Sequence, residues 1–60
     1  MKTVSYYLKS NAIKYHTIEN VIGVRYILAR NQITIEYVKE DQVCHAVFNL
    51  DVFLGDITVR

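Results

Sequence analysis

From Val24 to Leu50 apolar side chains recur at alternate positions, and the alternation survives two reversals of the chain. With Arg30-Asn31 at the tip of one turn, Leu28 faces Ile33, Tyr26 faces Ile35 and Val24 faces Tyr37. With Glu40-Asp41 at the tip of the next, Ile33 faces Phe48, Ile35 faces Ala46 and Tyr37 faces Cys44. Side chains of a strand alternate between its two faces, so a register is tested by asking which residues share a side. Both turns put Val24, Tyr26, Leu28, Ile33, Ile35, Tyr37, Cys44, Ala46 and Phe48 on one face. A slip of one residue in either hairpin mixes that face with polar groups. The pattern predicts a three-stranded antiparallel meander.

Upstream, Thr3 to Leu8 and Ile13 to Thr17 alternate in the same way around a turn candidate at Ser10-Asn11, Asn being tolerant of left-handed backbone angles. The pairing sets Leu8 against Ile13, Tyr6 against Tyr15 and Val4 against Thr17, and leaves Ser5, Tyr7, Lys14 and His16 on the other face. Between Thr17 and Gly23 the alternation breaks. Ile18, Val21 and Ile22 have helical spacing, Thr17 is a cap and Gly23 a stop, which predicts one turn of α or 3-10 helix as a corner. Gly23 as a bulge or bend within a strand is the alternative. Asp51 to Gly55 repeats the same logic, and Asp56 to Arg60 reads as a last short strand with Ile57 and Val59 inward.

The expected fold is all-β. Residues 1–60 make a single small β domain of five or six short antiparallel strands in a hairpin-connected meander, curled or barrel-like, with one short helical or 3-10 turn. Curling also limits the exposed edges that invite aggregation. In strand count and in the short turn before the last strand this resembles the SH3-like small barrels, a likeness of shape that implies no function.

At 60 residues the chain sits near the lower limit for an independent hydrophobic core. Cys44 is the only cysteine, so neither an internal disulfide nor a cysteine-based zinc site can help. As a free thiol it reads as a small buried hydrophobe. Apolar residues are 52% of the chain, more than so small a core can hide, and a homodimer is the expected remedy. The start Met-Lys-Thr leads into alternating residues rather than an apolar run, so no signal peptide is expected. No segment approaches the roughly 20 apolar residues that cross a bilayer, so no membrane partner is expected. The lone thiol fits a cytoplasmic location.

Charge is nearly balanced overall but not along the chain. Residues 1–30 hold Lys2, Lys9, Lys14, Arg25 and Arg30 against Glu19, a net +4, and residues 31–60 hold Lys39 and Arg60 against Glu36, Glu40, Asp41, Asp51 and Asp56, a net −3. On the face opposite the expected core, Arg25, Glu36 and His45 form a row across the meander. Such a row is read either as a solvated ladder that fixes register or as a pH-sensitive or ligand-binding site.

Catalytic chemistry is not expected. The two glycines, Gly23 and Gly55, lie too far apart for a phosphate-binding loop. Cys44 and His45 are adjacent on a strand and point to opposite faces, so they cannot act as nucleophile and base. Ser5 and His16 are neighbours without a clear acid, and Asp51 and Asp56 flank a turn. A metal site from His16, His45 and Glu36 requires His16 to come beside His45. No enzyme activity, metal or cofactor is therefore expected.

Binding remains. Tyr7, Ile27, Val38, Val43 and Val47 lie on the face opposite the expected core, and apolar groups there call for a protein partner or for cover by the rest of the chain. The leading expectation is a small inhibitor or adaptor, of the kind carried by a virus or mobile element, acting on a macromolecule through a sheet surface. The alternative is a small nucleic-acid-binding regulator that uses Tyr7, Lys9, Lys14 and His16 on the first hairpin. A net charge of +1 weighs against it, because phosphate contacts supply most non-specific affinity.

Overall fold

The computed structural model describes all residues from Met1 to Arg60. Five strands form one antiparallel sheet: β1 (Lys2–Leu8), β2 (Asn11–Ile27), β3 (Gln32–Lys39), β4 (Gln42–Asn49) and β5 (Phe53–Val59). The only helical segments are two 3-10 turns, Leu28–Arg30 before β3 and Leu50–Val52 before β5. The all-β expectation holds, with five strands.

The β3–β4 hairpin follows the sequence reading pair for pair. Ile33 faces Phe48, Ile35 faces Ala46 and Tyr37 faces Cys44. Lys39 and Gln42 close a two-residue turn in which Glu40 and Asp41 have φ of 53° and 60°. Positive φ at both positions gives the turn whose twist matches that of paired strands. Neither residue is Gly, so the alternation on both sides must hold the turn against its backbone cost.

The β2–β3 ladder keeps the predicted face but moves by two residues. Leu28–Arg30 leave the ladder as a 3-10 turn, and Asn31, at φ 53°, donates its backbone N–H to the Leu28 carbonyl at 3.1 Å. Tyr26 then faces Ile33 and Val24 faces Ile35. Leu28, expected in the core, stands 79% exposed at the tip.

The β1–β2 hairpin departs by one residue, and this reverses a face. Tyr7 pairs with Tyr15, Tyr6 with His16, Ser5 with Thr17 and Val4 with Ile18, while Asn11 sits opposite Leu8. Ile13 and Tyr15, expected inward, point out, and Ile13 is 95% exposed. His16, expected outward beside Tyr7, lies against Tyr6 with the rings stacked at 5.3 Å. The physical reason lies at Val4, which is fully buried. Ile18 opposite it adds apolar area that Thr17 would not, and a register shift between Tyr7 and Leu8, with Ala12, Ile13 and Lys14 between their partners, lets the tip close at Asn11.

No helical turn forms between Thr17 and Gly23; β2 runs through unbroken. Its ladder with β1 shifts register between Lys2 and Val4, and its ladder with β3 shifts between Val21 and Gly23. Each shift inserts one extra residue on β2, and Asn20 takes φ 57° there. The inward residues of this stretch are consequently Ile18, Val21 and Val24, three apart. Two bulges thus imitate helical spacing. Bulges bend a strand and raise its twist, so one half of β2 serves β1 and the other half β3.

The last element also differs from expectation. The turn is Leu50–Val52, capped by the Asn49 side chain, whose Oδ1 accepts from the Asp51 N–H at 3.0 Å. The strand starts at Phe53, and Gly55 does not end a turn. It sits inside β5 at φ 73°, where the ladder with β1 is interrupted between Ser5 and Tyr7.

The strand order is β4-β3-β2-β1-β5, so two strands consecutive in sequence occupy opposite ends of the sheet. A three-residue connection permits this only if the sheet curls. Aromatic rings mark the result: Phe48 of β4 and Phe53 of β5 lie 5.4 Å apart, and Tyr6 of β1 touches both at 5.5 and 5.4 Å. The core they join comprises Val4, Tyr6, Val21, Ile33, Ile35 and Phe53. Thr3 and Arg60 exchange backbone hydrogen bonds of 2.8 and 3.0 Å, which brings the two ends of the chain together.

Burial raises the Tyr6 phenol above its ordinary pKa of 10.0, and the nearby Tyr37 adds to the effect. A pKa raised on folding means that the folded state holds the proton longer than the unfolded chain does. The contribution is complete below about pH 10, the unfolded value, and is lost as pH rises through the folded one. Tyr6→Phe is expected to flatten this alkaline loss of stability. Denaturant midpoints at pH 8 and at pH 10.5 check it: an equal alkaline drop in both proteins refutes the assignment.

Candidate interaction surface

The core occupies the concave side of the curl, so the convex side is the one the fold leaves open. Residues reach it by strand alternation. From β3 come Thr34, Glu36 and Val38; from β4 come Val43, His45 and Val47; from the second half of β2 come Arg25 and Ile27. Val38 pairs directly with Val43, and Val43 and Val47 are each 57% exposed. Of the predicted protein-binding residues, four lie on the convex side in two places: Val38 and Val43 pair at the turn end of the β3–β4 hairpin, while Val47 opposite Thr34 and Ile27 opposite Gln32 lie towards its other end, with Glu36 and His45 between. The fifth, Tyr7, belongs to a separate patch. Its register partners are Tyr15 on β2 and Leu54 on β5, and its ring lies 5.1 Å from that of Tyr15 at an interplanar angle of 45°.

Tyr15, Leu54 and Ile13 are exposed apolar residues that the sequence reading did not place on the surface. For Tyr15 and Ile13 the signal was present at the other end of the hairpin. An apolar partner for Val4 had to be sought at Ile18, and that choice turns Tyr15 outward.

The nucleic-acid residues divide. Tyr7 is exposed beside Tyr15, Lys9 is at the hairpin tip, where its N–H donates to the Val52 carbonyl at 2.9 Å, and Lys14 is exposed on β2. His16 does not join them. It is on the concave side with Tyr6, and its Nε2 is buried without a hydrogen-bond partner. His16 and His45 are therefore on opposite faces, and no three His, Cys, Asp or Glu side chains converge as metal ligands.

The charged row is present with altered pairing. His45 faces Glu36 directly, but Arg25 faces Thr34 and reaches Glu36 on the diagonal. Both ion-pair distances are 3.8 Å, longer than a hydrogen bond, and the Arg25 and His45 side chains are well exposed. Pairs of this kind contribute little. Glu36→Ala is expected to shift the unfolding free energy by about 1 kcal/mol or less. A loss of several kcal/mol in a denaturant titration would give the row a structural weight that its geometry does not support.

Elsewhere the surface is shallow. A groove at the open side of the curl, lined by Tyr26, Leu50, Phe53, Gly55, Asp56 and Ile57, holds one carboxylate and no histidine or cysteine. No helix is long and apolar enough to cross a membrane. No protein-family model matches the chain, and searches of curated proteins and of solved structures found no match.

Proposed function

We propose that this chain is a non-enzymatic interaction module that binds a protein partner through the convex face of its sheet and works as a homodimer. One observation carries the reading. Only seven of 60 residues are buried, while large apolar side chains stay exposed, Val43 and Val47 among them on the side away from the core. Apolar groups gathered on the second face of a sheet mark contact surfaces. A role as a small inhibitor or adaptor in the cytoplasm, as carried by viruses or mobile elements, is consistent with a module of this size. Affinity capture with the wild type and with an Ile27→Lys/Val38→Lys variant tests it. A partner held by the wild type and released by the variant is expected; equal retention by a folded variant overturns the reading.

The Tyr7–Tyr15 pair favours a second reading, single-stranded nucleic acid stacking on exposed rings between Lys9 and Lys14. Under it, a labelled oligonucleotide binds at low salt, binding weakens steeply as salt rises, and Tyr7→Ala abolishes it. Absence of binding at low salt removes this reading.

A further inference from the structure

The two ends of the sheet are unlike. β5 has its ladder interrupted at Gly55 and Asp56, a form of edge protection. β4 has no such protection. Its ladder with β3 is the only one of the four without a register shift, so the strand is regular from Gln42 to Asn49. It contains no Pro, no Gly and no Lys, Arg, Asp or Glu. Its outer edge presents a row of backbone donors and acceptors that nothing in the chain pairs. An edge like this is a template for another strand.

The strand best suited to it is β4 itself. On the convex side β4 reads Val43, His45, Val47, the same in both directions about His45. We propose that two copies pair antiparallel through β4, with a two-fold axis at His45, into a continuous ten-stranded sheet. In this register Val43 faces Val47 of the second copy, twice over, and Cys44 faces Ala46. Charge fixes the orientation. The Glu40-Asp41 turn, with Lys39 beside it, lies at one end of β4 and is net negative by one, and a near-neutral end with Arg30 and Asp51 lies at the other. Antiparallel pairing sets each acidic turn beside the near-neutral end of the other copy, whereas parallel pairing sets the two acidic turns together. At the axis the row Arg25–Glu36–His45 meets its own image, so each imidazole has the Glu36 carboxylate of its own copy on the outer side.

The pairing completes the surface proposed above. Val38 and Val43 of one copy run on into Val47 of the other, which makes an apolar strip on each side of the central charged row. The inference rests on the interaction reading only in taking these strips as what a partner meets.

The register is testable by charge exchange. Wild-type protein is expected to sediment as a dimer at micromolar concentration. Val43→Lys alone and Val47→Glu alone are each expected to weaken the dimer about tenfold or more, with circular dichroism unchanged. The double variant places each new cation opposite a new anion of the second copy and is expected to recover most of the lost affinity. In a Cys44→Ala background, His45→Cys is expected to form a disulfide-linked dimer under oxidised glutathione faster than Leu54→Cys does. A monomeric wild type, a double variant weaker than either single one, or a disulfide between wild-type Cys44 residues in the folded dimer would each overturn the proposal. So would a foreign peptide pairing on β4 of a monomer. Dimerisation without partner capture refutes partner binding and leaves this inference standing; partner capture by a monomer refutes this inference and the homodimer, and leaves partner binding standing.

Discussion

Ile35→Asp is expected to leave the chain unfolded at room temperature. Ile35 has no exposed surface and sits in the middle of β3, facing Val24 on one side and Ala46 on the other. A carboxylate there has no hydrogen-bonding partner within the apolar cluster. Burying it, or protonating it and burying the acid, costs several kcal/mol. A domain of this size is held by only about 3–5 kcal/mol, so that single term is enough. Thr34→Asp is the control, one residue away on the opposite face and opposite Arg25. It is expected to cost about 1 kcal/mol or less. Loss of the β circular-dichroism signal in the first variant and its retention in the second support the assignment of faces. The reverse outcome inverts it.

Phe53→Ala is the second large effect. Phe53 is the first residue of β5, is buried, and contacts Tyr6 and Phe48 edge-on. Those contacts join the two ends of the sheet order. Truncating a buried Phe to Ala typically costs about 3–5 kcal/mol through lost transfer energy and the cavity left behind. In this chain that is comparable with the whole stability. Leu54→Ala, next along the strand but on the exposed face opposite Tyr7, is expected to cost about 1 kcal/mol or less. Denaturant titrations of the pair decide the matter. Equal losses would mean that curling contributes nothing to the core, against the geometry of the three rings.

What the sequence disclosed depended on how each turn is made. The Glu40-Asp41 turn has two residues, so it transmits register without slack, and every predicted pair of β3 with β4 is present. At Asn31 the 3-10 turn takes up Leu28–Arg30, and the register moves by an even number, which keeps Val24 and Tyr26 on the predicted side. At the first hairpin the displacement is odd, and His16 and Tyr15 exchange faces. Nothing near Ser10 marks that difference; the demand for an apolar neighbour comes from Val4, far along the strand. Ile18, Val21 and Val24 show a separate ambiguity. A spacing of three arises from a helix or from two bulges, and only the partner strands decide between them. The surface inherited these outcomes. Val38, Val43 and Val47 were legible because their hairpin was, whereas Tyr15 and Leu54 were hidden by a register and a strand start that the local sequence does not announce.

The hydrogen bonds between Thr3 and Arg60 bear on the order in which the molecule assembles. Hairpins close over short loops and form early, but the β1–β5 ladder joins residues separated by nearly the whole length of the chain. During synthesis β1 emerges first and waits for a mate that emerges last. Until then its second edge is open, and a nascent chain is most vulnerable to mispairing at the very strand that ends up shielded on both sides.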